Sequence, residues 1–169
     1  MSTPDTSRKP LAEKELQVVG FRIGEETFGV PIAHVREIIR VPQITALPNA
    51  PEYVEGVINL RGKIISVIDL RKRFGESNPQ PGRKNRILVV ELQNRIVGLI
   101  VNSASEVLKL PPSEIEPPSR VFPDGELECV TGVGKMNGCL VILVDLGKLL
   151  HAGDLRPLHS VGEPVPVTP

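Results

Sequence analysis

The chain is predicted to be all-β: two small barrels packed against each other, with short helical turns. Three observations predict this. The first is the stretch GVINLRGKIISVIDLRKRF from Gly56 to Phe74, two apolar runs (Val57 to Leu60 and Ile64 to Leu70) parted by Arg61-Gly62-Lys63. Its Val, Ile and Leu residues suit strands, and Gly62 can take the positive φ of a tight reversal. The second is an internal repetition. A shift of 69 lays Phe21–Pro42 over Val90–Pro111 without a gap. A shift of 76 lays Gly56, Gly62, Asp69-Leu70 and Lys72 over Gly132, Gly138, Asp145-Leu146 and Lys148. The third is composition: aromatics make up only 3% of 169 residues, and there are 17 prolines. That is about twice the usual ~5% share of proline, gathered in tails and connections, as many short strands require. Neither half, at roughly 70 residues, would bury a sufficient core alone. Two barrels sharing a core solve that problem, and closing each sheet removes most exposed strand edges.

Taken in order, residues 1–14 are polar, proline-bearing and without period, and read as a disordered tail. Leu16 to Ile23 alternates in part, Gly24-Glu25-Glu26 turns the chain, and Thr27 to Ile32 returns as a second strand. From Ala33 to Ile39, Val35, Ile38 and Ile39 fall at helical spacing, which predicts one or two helical turns ended by Pro42. Ile44 to Leu47 is predicted as a short strand, Pro48 to Pro51 as a turn, and Glu52 to Glu55 as a helical turn stopped by Gly56. In the central hairpin, the second run is apolar at almost every position, so both faces are expected to be covered. Asp69 then caps a short helix holding Arg71, Lys72 and Arg73. The expected organisation is a first lobe over 15–75, a linker over 76–85, a second lobe over 86–152 and a loose proline-bearing tail over 153–169. Pro117, Pro118, Pro123 and Gly125 mark a longer loop between the matched blocks of the second repeat.

Twenty basic and twenty acidic residues balance. A fold built to hold a nucleic-acid backbone carries a basic excess and aromatics for stacking, and this chain has neither. Arg71-Lys72-Arg73, with Arg83, Lys84 and Arg86, reads instead as helix surface and linker. The N-terminal MSTPDTSRKP has no apolar core of a signal peptide, and no apolar run approaches the ~20 residues that cross a bilayer. Cys129 and Cys139 are too few for a disulfide framework. A cytoplasmic chain with reduced thiols is expected.

No catalytic constellation emerges. His34, His151 and His159 lack partners at metal-ligand spacing, and the two cysteines lie too far apart for a zinc knuckle. Gly132-Val133-Gly134 with Gly138 hints at a phosphate loop, but the last glycine comes one place late and a strand-like run follows where a helix N-terminus is needed. Asp69 and Asp145, equivalent in the repeats, are predicted to be two N-caps rather than an acid and a base. What remains is an asymmetry: Asn59-Leu60-Arg61-Gly62 in one repeat faces Lys135-Met136-Asn137-Gly138 in the other. The hairpin does not need Arg61 to fold. Its planar fork of donors suits a carboxylate; the alternative is a solvated turn residue. Glu37 recurs as Glu106, so it either fixes a partner's register or has a structural role such as pairing with Arg36 or Arg40.

These residues, taken in order and spacing, resemble the CheW family of bacterial chemotaxis coupling proteins. The carrying motifs are Phe28-Gly29-Val30 with Val35-Arg36-Glu37-Ile38-Ile39, then Tyr53 to Gly62, Ile65 to Arg71, and Thr131-Gly132-Val133-Gly134. The match runs from about Leu16 to His151. The resemblance implies two SH3-like five-stranded barrels on a shared hydrophobic core. It implies a non-enzymatic scaffold, without cofactor or metal, linking the histidine kinase CheA to chemoreceptors. In the family, the kinase's regulatory domain pairs barrel-to-barrel with the coupler, and the receptor's cytoplasmic tip lies in a groove between lobes. Carried onto this chain, Glu37 and Arg61 support partner contact. Val35 and Ile38 line the groove from the first lobe, Ala104 and Val107 line it from the second, and Ile44 faces the kinase. The resemblance also admits an adaptor of a pilus-linked or other chemosensory pathway. Outside the family, the alternative is a barrel that binds a small ligand or nucleic acid.

Overall fold

The computed structural model describes residues 15–75, 79–117 and 129–150. The first half of the chain forms β1 (Leu16–Ile23), β2 (Glu26–Pro31), a 3-10 turn (Ile32–His34), β3 (Val35–Arg40), β4 (Val54–Leu60), β5 (Lys63–Asp69) and α1 (Leu70–Arg73). The second half forms β6 (Arg86–Leu92), β7 (Arg95–Val101), β8 (Ser103–Leu110), a 3-10 turn (Pro112–Glu114), β9 (Ile115–Glu116), β10 (Val130–Met136), β11 (Cys139–Val144) and α2 (Leu146–Leu149). The fold is all-β with two sheets. The repeat is real at the level of register: the β4–β5 ladder slips between Val54 and Gly56, and the β10–β11 ladder slips at the equivalent Val130 and Gly132. The two tails expected at 1–14 and 153–169 lie outside the described residues.

The sheets do not follow the expected division into lobes. One runs β8-β1-β2-β11-β10-β9 and the other β3-β6-β7-β5-β4, so each half lends strands to both. The exchange has a simple cause. The β1–β2 and β6–β7 hairpins are complete local units, and each completes the barrel of the opposite repeat through one parallel pairing, β2 on β11 and β7 on β5. Past its outermost strand the chain bends back to close each barrel. In the second sheet Thr45 and Val57 of β4 exchange two N–H···O bonds of 2.9 Å. In the first, β9 pairs with β10 in the same place. Gly56 makes the first closure possible. Its φ is +146°, and a Cβ there would overlap the Thr45 carbonyl.

Three apolar clusters result. Ile58, Ile65, Val67, Ile87, Val89 and Ile100 fill the barrel of the second sheet, and Val18, Leu110, Val141 and Leu143 fill that of the first. The largest lies between them, where Phe21, Phe28 and Val30 of one sheet meet Ile68, Leu88, Val90 and Leu99 of the other beneath α1 and α2. Phe28 stacks on both Phe21 and Phe74, with ring centroids 5.8 and 4.9 Å apart. This is the expected shared core.

Four local expectations are corrected. Residues 35–40 are a strand, not a helix: exposure alternates from Val35 to Arg40, and the segment pairs with β6 from Val35–Val90 to Arg40–Arg86. Only Ile32–His34 makes a helical turn. A β-branched segment beside an open strand edge gains a ladder that three helically spaced apolar residues cannot match. Ile44 to Leu47 contributes a single bridge at Thr45 rather than a strand. The helical turn expected over Glu52–Glu55 is a tight turn, and Val54 already belongs to β4. The second run of the hairpin is not covered throughout, since Ile64 is 64% exposed.

The caps are as expected. The Asp69 carboxylate accepts the Arg71 N–H at 2.9 Å, and Asp145 accepts that of Lys148 at 3.2 Å. The basic run after Asp69 is not plain surface, however. Arg71 is buried, Lys72 pairs with Glu55 at 2.6 Å, and the Arg73 guanidinium donates to the Leu149 carbonyl at the end of α2.

Candidate partner-binding surface

At one end of the second barrel the β4–β5 turn brings Arg61 against Glu37 of β3, and the two side chains form an ion pair. This settles the partner of Glu37, which is neither Arg36 nor Arg40. Arg36 instead donates to Glu91 of β6 at 2.6 Å. A register shift between Val35 and Glu37 explains the sorting: Val35 pairs with Val90 and packs on the shared core, while beyond the bulge Glu37 and Ile39 stand opposite Val89 and Ile87 on the interior side of the second barrel.

The turn that carries Arg61 is a two-residue reversal with both φ angles positive, +50° at Arg61 and +87° at Gly62. The equivalent turn has +52° at Asn137 and +80° at Gly138. Asn-Gly is the pair such a turn prefers, because Asn tolerates the left-handed region and Arg does so at a cost of about 1 kcal/mol. A brace exists where the costly residue stands: the Asn59 side-chain oxygen accepts the Gly62 N–H at 2.9 Å. Lys135 occupies the same place in the other repeat and offers no acceptor. Arg61 is held where folding alone would choose otherwise, with its side chain 69% exposed.

The other residues singled out from sequence separate into two kinds. Val35 and Ala104, equivalent in the repeats, are half-buried and pack on the shared core. Ile38 and Val107, also equivalent, point outward and are 39% and 41% exposed. Of these two pairs, the second is available to a partner. Val35, Glu37, Ile38, Ile44 and Arg61 all belong to the second barrel, and Ala104 and Val107 lie on β8 of the first. Ile44 sits apart from the Glu37–Arg61 pair. It packs on the interior of the second barrel and borders a hollow shared with Val41, Ile100, Asp69 and Arg71.

Sequence reading passed over several surface features. Among the described residues, Ile64 and Leu140 are the most exposed large apolar side chains, and they occupy equivalent places, one after each hairpin turn. The repeat alignment could have flagged them as a pair, but the hairpin run gave no sign of which face lacked cover. The hollow beside Glu37 and Arg61 was equally hidden, because its walls come from β3, β4, β5, β6 and β7. Among the described residues no three His, Cys, Asp or Glu side chains gather where a metal ion could be held, and no helix is long and apolar enough to cross a membrane.

Comparison with known proteins agrees with this architecture. The family model described as the CheW-like domain matches residues 17–154. The chain is 33% identical over 143 residues to the chemotaxis protein CheW of Klebsiella aerogenes, covering 85% of this chain and 86% of that one. It is 35% identical over 138 residues to the CheW of Rhizobium meliloti, covering 82% and 89%. Among solved structures, the scaffolding protein TtCheW from Thermoanaerobacter tengcongensis superposes with a TM-score of 0.74 at 37% identity, covering 83% of this chain and 95% of that one. With two barrels on one core and relatives aligned along most of its length, the chain belongs to the CheW-like family of chemotaxis scaffold proteins.

Proposed function

We propose that this chain couples chemoreceptors to the histidine kinase CheA as a scaffold, by binding alone and without catalysing a reaction. The observation that carries the reading is Arg61. It is held in a left-handed turn and paired with Glu37, and its repeat equivalent is the sterically cheaper Asn137. A charged fork maintained against local preference is suited to fixing the orientation of a partner. The exposed pair Ile38 and Val107 would supply apolar contact, with Val35 and Ala104 supporting them from beneath. In this reading the receptor tip engages these residues, while Ile44 and its loop face the regulatory domain of the kinase. The chain would work in the cytoplasm at receptor arrays, where many small interfaces act together.

The test is reconstitution with purified receptor and kinase. Arg61→Ala is expected to keep its thermal transition and lose activation of the kinase by receptor. A folded Arg61→Ala chain that activates as the native one does would overturn the role given to Arg61.

A further inference from the structure

We propose that Arg40 and Arg86, at the linker end of the β3–β6 ladder, receive a carboxylate of the chemoreceptor tip, one helical turn from the apolar residue that meets Ile38. The inference rests on the scaffold reading and adds the chemistry that its receptor must carry. Arg40 and Arg86 stand directly opposite each other across the ladder. Like charges so placed destabilise a sheet, and folding gains nothing from the pair. Arg86 is fixed in place, since its Nη1 donates to the Arg83 and Asn85 carbonyls at 2.9 and 2.8 Å. Arg40, Arg83 and Lys84 are exposed around it.

None of these four cations joins a carboxylate in an ion pair among the described residues. The acids on the strands of the second sheet are taken: Glu37 by Arg61, Glu55 by Lys72, Asp69 by Arg71 and Glu91 by Arg36. Glu52 precedes β4, at the other edge of the sheet from β3. From the first barrel, the β1–β2 turn comes alongside through Asn102, whose side-chain oxygen accepts the Gly24 N–H at 2.7 Å. That turn brings Arg22, Glu25 and Glu26, a single net negative charge. Set against it, the four cations leave this end positive.

The repeat shows that the barrel does not demand this charge. The shift of 69 sets Lys109, Lys14, Glu15 and Gln17 at the places of Arg40, Arg83, Lys84 and Arg86. Gln17 pairs with Lys109 as Arg86 does with Arg40. Four cations at one ladder end thus correspond to two cations and an acid at the other. The turn matching Arg22, Glu25 and Glu26 carries Glu91, Asn94 and Arg95 and is neutral, so the difference survives the neighbouring charges.

Ile38 decides the partner. It lies two residues before Arg40, and both stand on the face of β3 away from Ile39, which packs inside the barrel. Two residues along a strand span about 6.6 Å, close to the ~6 Å between residues four apart on a helix. A receptor helix lying along β3 with its apolar contact on Ile38 therefore carries a side chain four places away over Arg40. Asp or Glu there balances the two arginines, and Lys meets repulsion.

The full chain is titrated calorimetrically with the chemoreceptor cytoplasmic fragment and, as a control, with the kinase regulatory domain, each at low and high salt. Arg40→Glu is expected to melt no lower than the native chain, because glutamate opposite Arg86 replaces repulsion with attraction. It is expected to bind the receptor fragment about tenfold more weakly, with a flatter salt dependence, and the kinase domain as the native chain does. Arg40→Gln adds no charge; it is expected to lose about threefold and decides alone if Arg40→Glu melts early. Arg95→Glu, an exposed cation at the other end of the same barrel, is expected to bind both partners natively. Native receptor affinity in the Arg40 variants, an equal loss in Arg95→Glu, or a loss of kinase binding as large as that of receptor binding overturns the inference and leaves the scaffold reading standing. If the native chain does not bind the receptor fragment, the scaffold reading fails and the inference fails with it.

Discussion

The guanidinium of Arg71 grips both carboxylate oxygens of Asp69, with Nε 3.0 Å from Oδ1 and Nη2 2.9 Å from Oδ2. Both residues are buried, at 5% and 2% exposure. The remaining nitrogen, Nη1, donates to the Gln80 carbonyl at 3.0 Å and so ties the segment linking the repeats to the second barrel. The other repeat has Gly147 in this place and a free-standing cap at Asp145. Removing Arg71 leaves a buried carboxylate uncompensated, a loss of about 3–5 kcal/mol. Arg71→Ala is therefore expected to lower the urea midpoint sharply, and Arg71→Lys to recover only part of the loss, because an ammonium cannot reproduce the fork. Faster amide exchange over residues 79–85 in Arg71→Ala would report release of the link. Native exchange there would show that the Gln80 contact holds nothing.

Gly56 and Gly62 both have positive φ, but only one is hemmed in. A Cβ at Gly56 meets the Thr45 backbone, while one at Gly62 meets open space. Gly62→Ala is expected to cost about 1 kcal/mol, from backbone strain alone. Gly56→Ala adds an overlap that the barrel closure must relieve by moving, for a total of about 3 kcal/mol. Denaturant titration of the two variants separates the effects, and equal losses would refute the closure role given to Gly56.

Arg61 should be dispensable for stability. Its pair with Glu37 is exposed on the Arg61 side and is worth at most about 1 kcal/mol, which the cost of its left-handed backbone roughly cancels. Arg61→Asn copies the other repeat and is expected to match or exceed native stability, by up to about 1 kcal/mol, while losing receptor–kinase coupling. A marked drop in melting temperature would mean that the pair is structural.

The two thiols should differ in reactivity. Burial pushes the Cys129 thiol above its ordinary range, opposed in part by a backbone hydrogen bond, and Cys139 is exposed at the start of β11. The thiolate is the reacting species, so a raised value leaves less of it at any pH below that value. Near pH 8 a thiol reagent is expected to label Cys139 well before Cys129, with the gap narrowing as pH rises. Mass spectrometry of partly labelled protein reads the order directly, and simultaneous labelling would contradict it.

Much of this molecule can be read from the chain because its signals are local. The hairpin turns at Gly62 and Gly138, the caps at Asp69 and Asp145, and the apolar runs between them each depend on residues a few places apart. The same holds for the duplication, since equivalent turns need equivalent residues. What the chain did not disclose depends on distant partners. Val35 to Arg40 has spacing that fits a helix, and it is a strand because the edge of β6, some fifty residues on, stands open to receive it.

The internal repeat by itself determined that there would be two alike barrels, which turns would close their hairpins, and that Arg61 stood where folding asked for less. Only the tertiary structure decided which half supplies each strand, that Glu37 rather than its neighbours' charges goes to Arg61, and that Arg71 is buried. The reason is physical. Propensity and turn chemistry act over a few residues, whereas pairing across sheets and removal from water depend on whatever the rest of the chain brings alongside.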